Sequence, residues 1–85
     1  MKNPFKRPEM MIGWDEAVEA YRQKAAPIWR DGKPDKGNAW GSRFWLGYNG
    51  ITTGLGNYAA HKGAKDTTGY IFYRAGQDIA KTEKR

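Results

Sequence analysis

The spacing of apolar residues predicts an all-α protein, a small single-domain bundle of about three helices behind a disordered N-terminal arm. Three observations carry this. Apolar residues recur at helical intervals in three separate segments, around Trp14–Ala25, Phe44–Ile51 and Phe72–Ile79. The chain has 85 residues, enough for one small core, and its four Trp, five Tyr and three Phe supply large buried area with few rotatable bonds. Pro4 and Pro8 keep the first residues out of that pattern. The division is therefore an arm over residues 1–12 and one domain over 13–85.

In the arm, Lys2, Lys6 and Arg7 flank Phe5. With two prolines against regular structure, removing residues 1–11 is expected to leave the melting temperature nearly unchanged. From Trp14 the pattern is helical. Trp14, Val18, Tyr21 and Ala25 follow at intervals of four, three and four, and Ala17 fills the same face. Asp15, Glu16 and Glu19 precede Arg22 and Lys24, the order a helix dipole favours, and Glu19 and Arg22 are spaced for an i,i+3 pair. Pro27 disfavours helix at Ala26 and opens a short turn through Ile28, Trp29 and Arg30. The run Asp31-Gly32-Lys33-Pro34-Asp35-Lys36-Gly37 reads as a loop.

The segment Asn38–Ile51 concentrates the chemistry. Trp40, Phe44, Gly47, Tyr48 and Ile51 share one helical face, Asn38 is a suitable N-cap, and Trp45 points away from that face. Near the C-terminus Phe72, Ala75, Gly76 and Ile79 repeat the offsets of Phe44, Gly47, Tyr48 and Ile51, behind Asp66, Thr67 and Thr68 as candidate caps. Aligned at Gly41/Gly69, Phe44/Phe72 and Ile51/Ile79, the two windows suggest helices that meet with small residues between bulky ones, so that their backbones come close. Trp14, Tyr21, Phe44 and Phe72 are the expected core. Because aromatics also form strands and Gly41, Gly47 and Gly50 weaken a helix, the alternative is an α+β domain with one helix on a small antiparallel sheet pairing residues 43–48 with 70–74.

Between these segments Gly54, Gly56 and Ala59 match G-x-G-x-x-A, but a dinucleotide fingerprint needs a βαβ unit that a chain of this length has no room for. A glycine turn leading into a short helix over Asn57–His61, beside Lys62 and Lys65, is the reading that remains. One histidine and no cysteine remove most nucleophile–base pairs and any Cys-based zinc site, so no enzyme, catalytic residue, metal or cofactor is expected. No apolar run approaches the length of a membrane span and no signal peptide is legible, which together point to a cytoplasmic protein.

The net charge is +6, with a balance of +2 over residues 1–36 and +4 over 37–85. No acid occurs between Asp35 and Asp66, whereas Lys36, Arg43, Lys62 and Lys65 fall there. A basic, aromatic-rich and acid-free stretch suits a polyanion. The expected contacts are Lys36, Arg43, Lys62, Lys65 and Arg74 to phosphate, with Trp45 or Trp40 stacking on an unpaired base. The partner class is RNA or a ribonucleoprotein. The alternative is a protein-interaction module that inhibits a host enzyme or complex, of the kind phages and mobile elements encode, with the same Trp, Tyr and Arg side chains as anchors.

The run D-G-K-P-D-K-G-N-A-W-G-S-R-F-W-L-G-Y-N-G, residues 31–50, resembles the ribosome modulation factor family of small basic helical proteins from bacteria and their phages. Arg43, Trp45, Gly47 and Tyr48 stand where that family's last helix carries Arg, Trp and a Gly-aromatic step, and Asn38-Ala39-Trp40 where it carries a proline-aromatic pair. Ala39 replaces the family's proline, the spacing from loop to Trp is shorter, and residues 52–85 have no counterpart. The resemblance implies binding to ribosomal RNA near the decoding or mRNA-exit region.

Overall fold

The computed structural model describes residues 2–25, 28–34, 39–51 and 67–83. Its elements are α1 (Pro8–Arg22), β1 (Trp29–Arg30), β2 (Lys33–Pro34), α2 (Ala39–Tyr48) and α3 (Thr67–Glu83). Helix α3 is central and packs against both α1 and α2. It buries Tyr70, Ile71, Tyr73, Ala75 and Ile79, against which α1 brings Met10, Trp14, Ala17 and Val18 and α2 brings Phe44. The three-helix reading therefore holds, and residues 43–48 and 70–74 are helical rather than paired strands. No helix among the described residues is long and apolar enough to cross a membrane.

The tightest packing lies where α2 crosses α3. A Cβ placed on Gly47 would overlap the Tyr73 carbonyl oxygen, with its carbon only 2.9 Å away. A Cβ on Gly76 would overlap the Phe44 carbonyl oxygen and come within 2.8 Å of the Tyr48 nitrogen. Each glycine thus faces the carbonyl three residues before the other. The backbones do approach through small residues, but the register is one residue away from the Phe44/Phe72 alignment. Gly47 stands opposite Gly76, which matches Phe44 with Tyr73. For that reason Tyr73 is buried at 1% exposure while Phe72 is only partly buried. Tyr21, the other expected core residue outside the strict core, is likewise partly buried.

The start of α1 differs from expectation for a definite reason. Residues 2–7 form no regular element, but Pro8–Ile12 are helical, because Pro8 occupies the first turn, where a missing N–H costs nothing. Asp15, Glu16 and Glu19 accordingly sit beyond the first turn, which holds Glu9. Glu19 accepts a hydrogen bond from Gln23 Nε2 at 2.7 Å. The preceding residues are tied to the bundle. Asn3 Nδ2 donates to the Met11 carbonyl (2.9 Å) and to Asp15 Oδ1 (3.0 Å), and the Phe5 ring meets Tyr70 edge-on at 5.8 Å. With Met10 in the core, removal of residues 1–11 is expected to lower stability, where the sequence alone predicts little change.

The C-terminal ends of α1 and α2 close with the same motif. After α1, Ala25 N donates to Ala20 O and Lys24 N to Tyr21 O, with Lys24 in the left-handed region at φ 52°. That ends the helix at Arg22, short of the Ala26 stop expected from Pro27. After α2, Ile51 N donates to Leu46 O and Gly50 N to Gly47 O, with Gly50 at φ 70°. Leu46 and Ile51 both pack on Tyr73, whose hydroxyl donates to the Ile51 carbonyl at 2.6 Å. The loop after Arg30 is a hairpin. Asp31 (φ 51°) and Gly32 (φ 76°) join β1 to β2 with Trp29 opposite Pro34 and Arg30 opposite Lys33. Two successive positive φ values are the mark of a type I′ turn, which Asp-Gly favours.

Two substitutions separate close packing from backbone strain. Gly76→Ala forces α2 and α3 apart and is expected to cost roughly 3 kcal/mol, most of what a small domain has. Gly50→Ala meets open space and is expected to cost only the left-handed penalty of about 1–2 kcal/mol. Urea unfolding of both variants gives the comparison, and equal losses would remove the crossing from its central place.

Candidate nucleic-acid interface

Helix α2 has no acidic residue. Its face towards α3 is set by Gly41, Phe44 and Gly47, all buried. Arg43 and Trp45 lie about 100° to either side of Phe44 around the helix, and both are half-buried. The Trp45 ring therefore stands on the flank of α2 rather than on its outermost face. The Trp45 carbonyl accepts from the backbone N–H of Asn49 at 3.0 Å and from Asn49 Nδ2 at 2.9 Å, which braces the helix end beside it.

The hairpin adds a second aromatic to this side. Trp29 is half-buried and meets Tyr21 edge-on at 4.8 Å, and Lys24 Nζ lies 5.5 Å from its ring centroid, a cation–π distance. Tyr21 in turn stacks on Phe44 at 5.4 Å, and Phe44 on Tyr48 at 6.3 Å. Trp29, Tyr21, Phe44 and Tyr48 thus make a continuous aromatic cluster joining the hairpin, α1 and α2. At its edge, Glu83 Oε1 accepts from the hydroxyls of both Tyr21 (2.5 Å) and Tyr48 (3.0 Å), tying the last turn of α3 to the other two helices. Burial, then the hydrogen bond to Glu83, holds the pKa of both tyrosines above the usual value.

The predicted contact residues separate in space. Arg43 and Trp45 share α2. Trp40 belongs to α2 as well, its side chain lying outside the description, and Lys36, Lys62 and Lys65 lie outside the described residues, as do Asn38, Asp66, Gly54, Gly56, Ala59 and the proposed Asn57–His61 turn. Arg74 is engaged within the fold. Its Nε donates to Asp78 Oδ1 at 3.1 Å, while Asp78 Oδ2 accepts from Trp14 Nε1 at 2.9 Å. Burial works against the Arg74 charge, but hydrogen bonds to Asp78 and Tyr70 and attraction to Asp78 outweigh it and hold its pKa above the usual value. Arg74 is therefore a link between α3 and α1 through Asp78, its charge offset locally.

The acids of α1 lie elsewhere. Glu9, Asp15, Glu16 and Glu19 are all exposed, and Glu9, Glu16 and Glu19 fall with Ile12 along one line of the helix at intervals of three, four and three. Ile12, at 58%, and Met11, at 38%, are the large apolar residues exposed among the described residues. Among the described residues no group of three His, Asp or Glu side chains is placed to hold a metal ion. Residue spacing does not single out Trp29, Lys24 or the Tyr21–Glu83–Tyr48 cluster. The Asp-Gly turn was the signal that places Trp29.

Comparison with protein-family models, with curated proteins and with solved structures finds no match.

The tyrosine cluster gives an alkaline limit to stability. A tyrosine with a raised folded pKa contributes stability that is complete below the unfolded value near 10 and is lost as pH rises beyond it, because the unfolded chain ionises first. Stability is expected to fall from about pH 10 upward, and Tyr21→Phe should make that fall shallower. Urea midpoints measured from pH 8 to 11 test this, and a Tyr21→Phe protein with an unaltered profile would contradict it.

Proposed function

We propose that the protein binds RNA or a ribonucleoprotein through the α2 side of the bundle. Arg43, with Lys36, Lys62 and Lys65 from the neighbouring sequence, contacts phosphate, and Trp45 or Trp40 stacks on an unpaired base. The observation that carries this reading is the division of charge. Four exposed acids of α1 lie on its outer surface, Glu9 among them paired with Arg7, while α2 has no acid and carries Arg43 and Trp45 half-buried on its two flanks. A polyanion is repelled from the first surface and drawn to the second, which orients an encounter before any specific contact forms. The similarity of residues 31–50 to the ribosome modulation factor family runs through this same helix and makes ribosomal RNA the first target to test.

A second reading is inhibition of a host enzyme or complex, with the same Trp, Tyr and Arg side chains as anchors in a partner's pocket, beside which the fold adds an exposed apolar Ile12 among acids. The two readings differ in their response to salt. Neutralising phosphates releases condensed counterions, so with roughly four contacts the log–log slope of affinity against salt should be about −3. Arg43→Ala should flatten that slope by about one unit, weakening all sequences alike. Trp45→Ala should lower single-strand affinity by about 1–3 kcal/mol without changing the slope. A protein inhibitor would instead keep its affinity as salt rises and lose binding on substitution of Ile12. Affinity for RNA and DNA no better than about 100 μM at low salt would end the nucleic-acid reading.

A further inference from the structure

Beside the crossing of α2 and α3 lies an open cleft of about 340 Å³, bounded by Gly47, Tyr48, Asn49, Gln77, Ala80 and Lys81. Its volume falls within the range of small-ligand sites and suits one nucleotide. The crossing itself makes the hollow. Gly47 has no side chain because the Tyr73 carbonyl occupies the place of its Cβ, and two turns further along α3 Ala80 contributes only a methyl group. Tyr48 is held by the hydrogen bond of its hydroxyl to Glu83.

The polar groups at this cleft are amides and one cation. Gln77 is half-buried, and among the described residues no side-chain hydrogen bond engages its amide. Asn49 donates its Nδ2 to the Trp45 carbonyl, which leaves Oδ1 as an acceptor. Lys81 lies one helical turn beyond Gln77 on the same face of α3 and is exposed. An amide offers a donor and an acceptor side by side, the complement of the edge that an unpaired base presents. A lysine at the rim suits the phosphate joined to that base.

We propose that this cleft holds one unpaired nucleotide, its base edge on Gln77 and Asn49 and its phosphate at Lys81. The proposal rests on the nucleic-acid reading and deepens it. It makes the protein a reader of single strands, with one base lodged in the cleft beside the Trp45 end of α2.

The test uses the full chain with a short single-stranded RNA and a duplex RNA of the same length. Gln77→Leu keeps the size of the side chain and removes both hydrogen-bonding groups, and Ala80→Leu fills the hollow from the α3 side. Each is expected to weaken single-strand binding about tenfold while leaving duplex affinity and the salt slope unchanged. Adenosine monophosphate should shift the side-chain amide resonances of Gln77 and Asn49 in the unmodified protein, a readout independent of whether the variants fold. Single-strand affinity that neither substitution alters, or a loss shared equally by duplex and single strand, would overturn the cleft while leaving phosphate binding by α2 standing. A protein that binds neither RNA would defeat both.

Discussion

The backbone contact between Gly47 and Gly76 is the constraint on which the bundle depends. Each carbonyl at the crossing occupies the space where a Cβ would be on the other helix. At that separation a glycine Cα–H faces a carbonyl oxygen, a contact that recurs at close helix crossings. The crossing sets the register of α2 on α3, and the register sets the rest. It turns Tyr73 inwards between Leu46 and Ile51, brings the Tyr73 hydroxyl to the Ile51 carbonyl, and places Phe44 beneath Tyr21 of α1. A small domain gains little from any single contact, so a geometry that brings many large side chains together is worth more than their separate burial.

Much of this was legible in residue spacing. Three helices, small residues at their meeting and an aromatic core all follow from apolar intervals, since a face of a helix is a fixed arithmetic of positions. The one-residue offset between the Phe44/Phe72 sequence alignment and the contact of α2 with α3 has a physical source. Identities such as Phe44/Phe72 draw the eye to large residues, but the close approach is limited by backbone, and the correct match is glycine with glycine. The start of α1 was misplaced by treating Pro8 as a breaker, when proline is harmless in the first turn. Asp31-Gly32 reads in sequence as a loop, although two left-handed residues in succession bend a chain back as a ribbon.

The interface was legible in part, and for a different reason. Composition exposes an acid-free stretch, but not which cations the fold itself engages. Arg74 looks like a surface cation in sequence; in space Asp78, one turn on, takes it and also takes the Trp14 indole from 64 residues away. A long-range partner of this kind leaves no trace in local spacing. Lys24 and Trp29 come together only because α1 ends in a left-handed turn and the hairpin folds back beside it. The Tyr21–Glu83–Tyr48 cluster likewise joins three helices through residues far apart in the chain.

The same economy of side chains that lets α2 and α3 touch also leaves room beside their contact. Glycine at position 47 answers the carbonyl of Tyr73, and left-handed Gly50 ends the helix; neither can grow a side chain without loss. The neighbouring cleft is therefore a standing consequence of how the helices meet, and only its walls are open to chemical choice. Gln77, Asn49 and Lys81 are those walls.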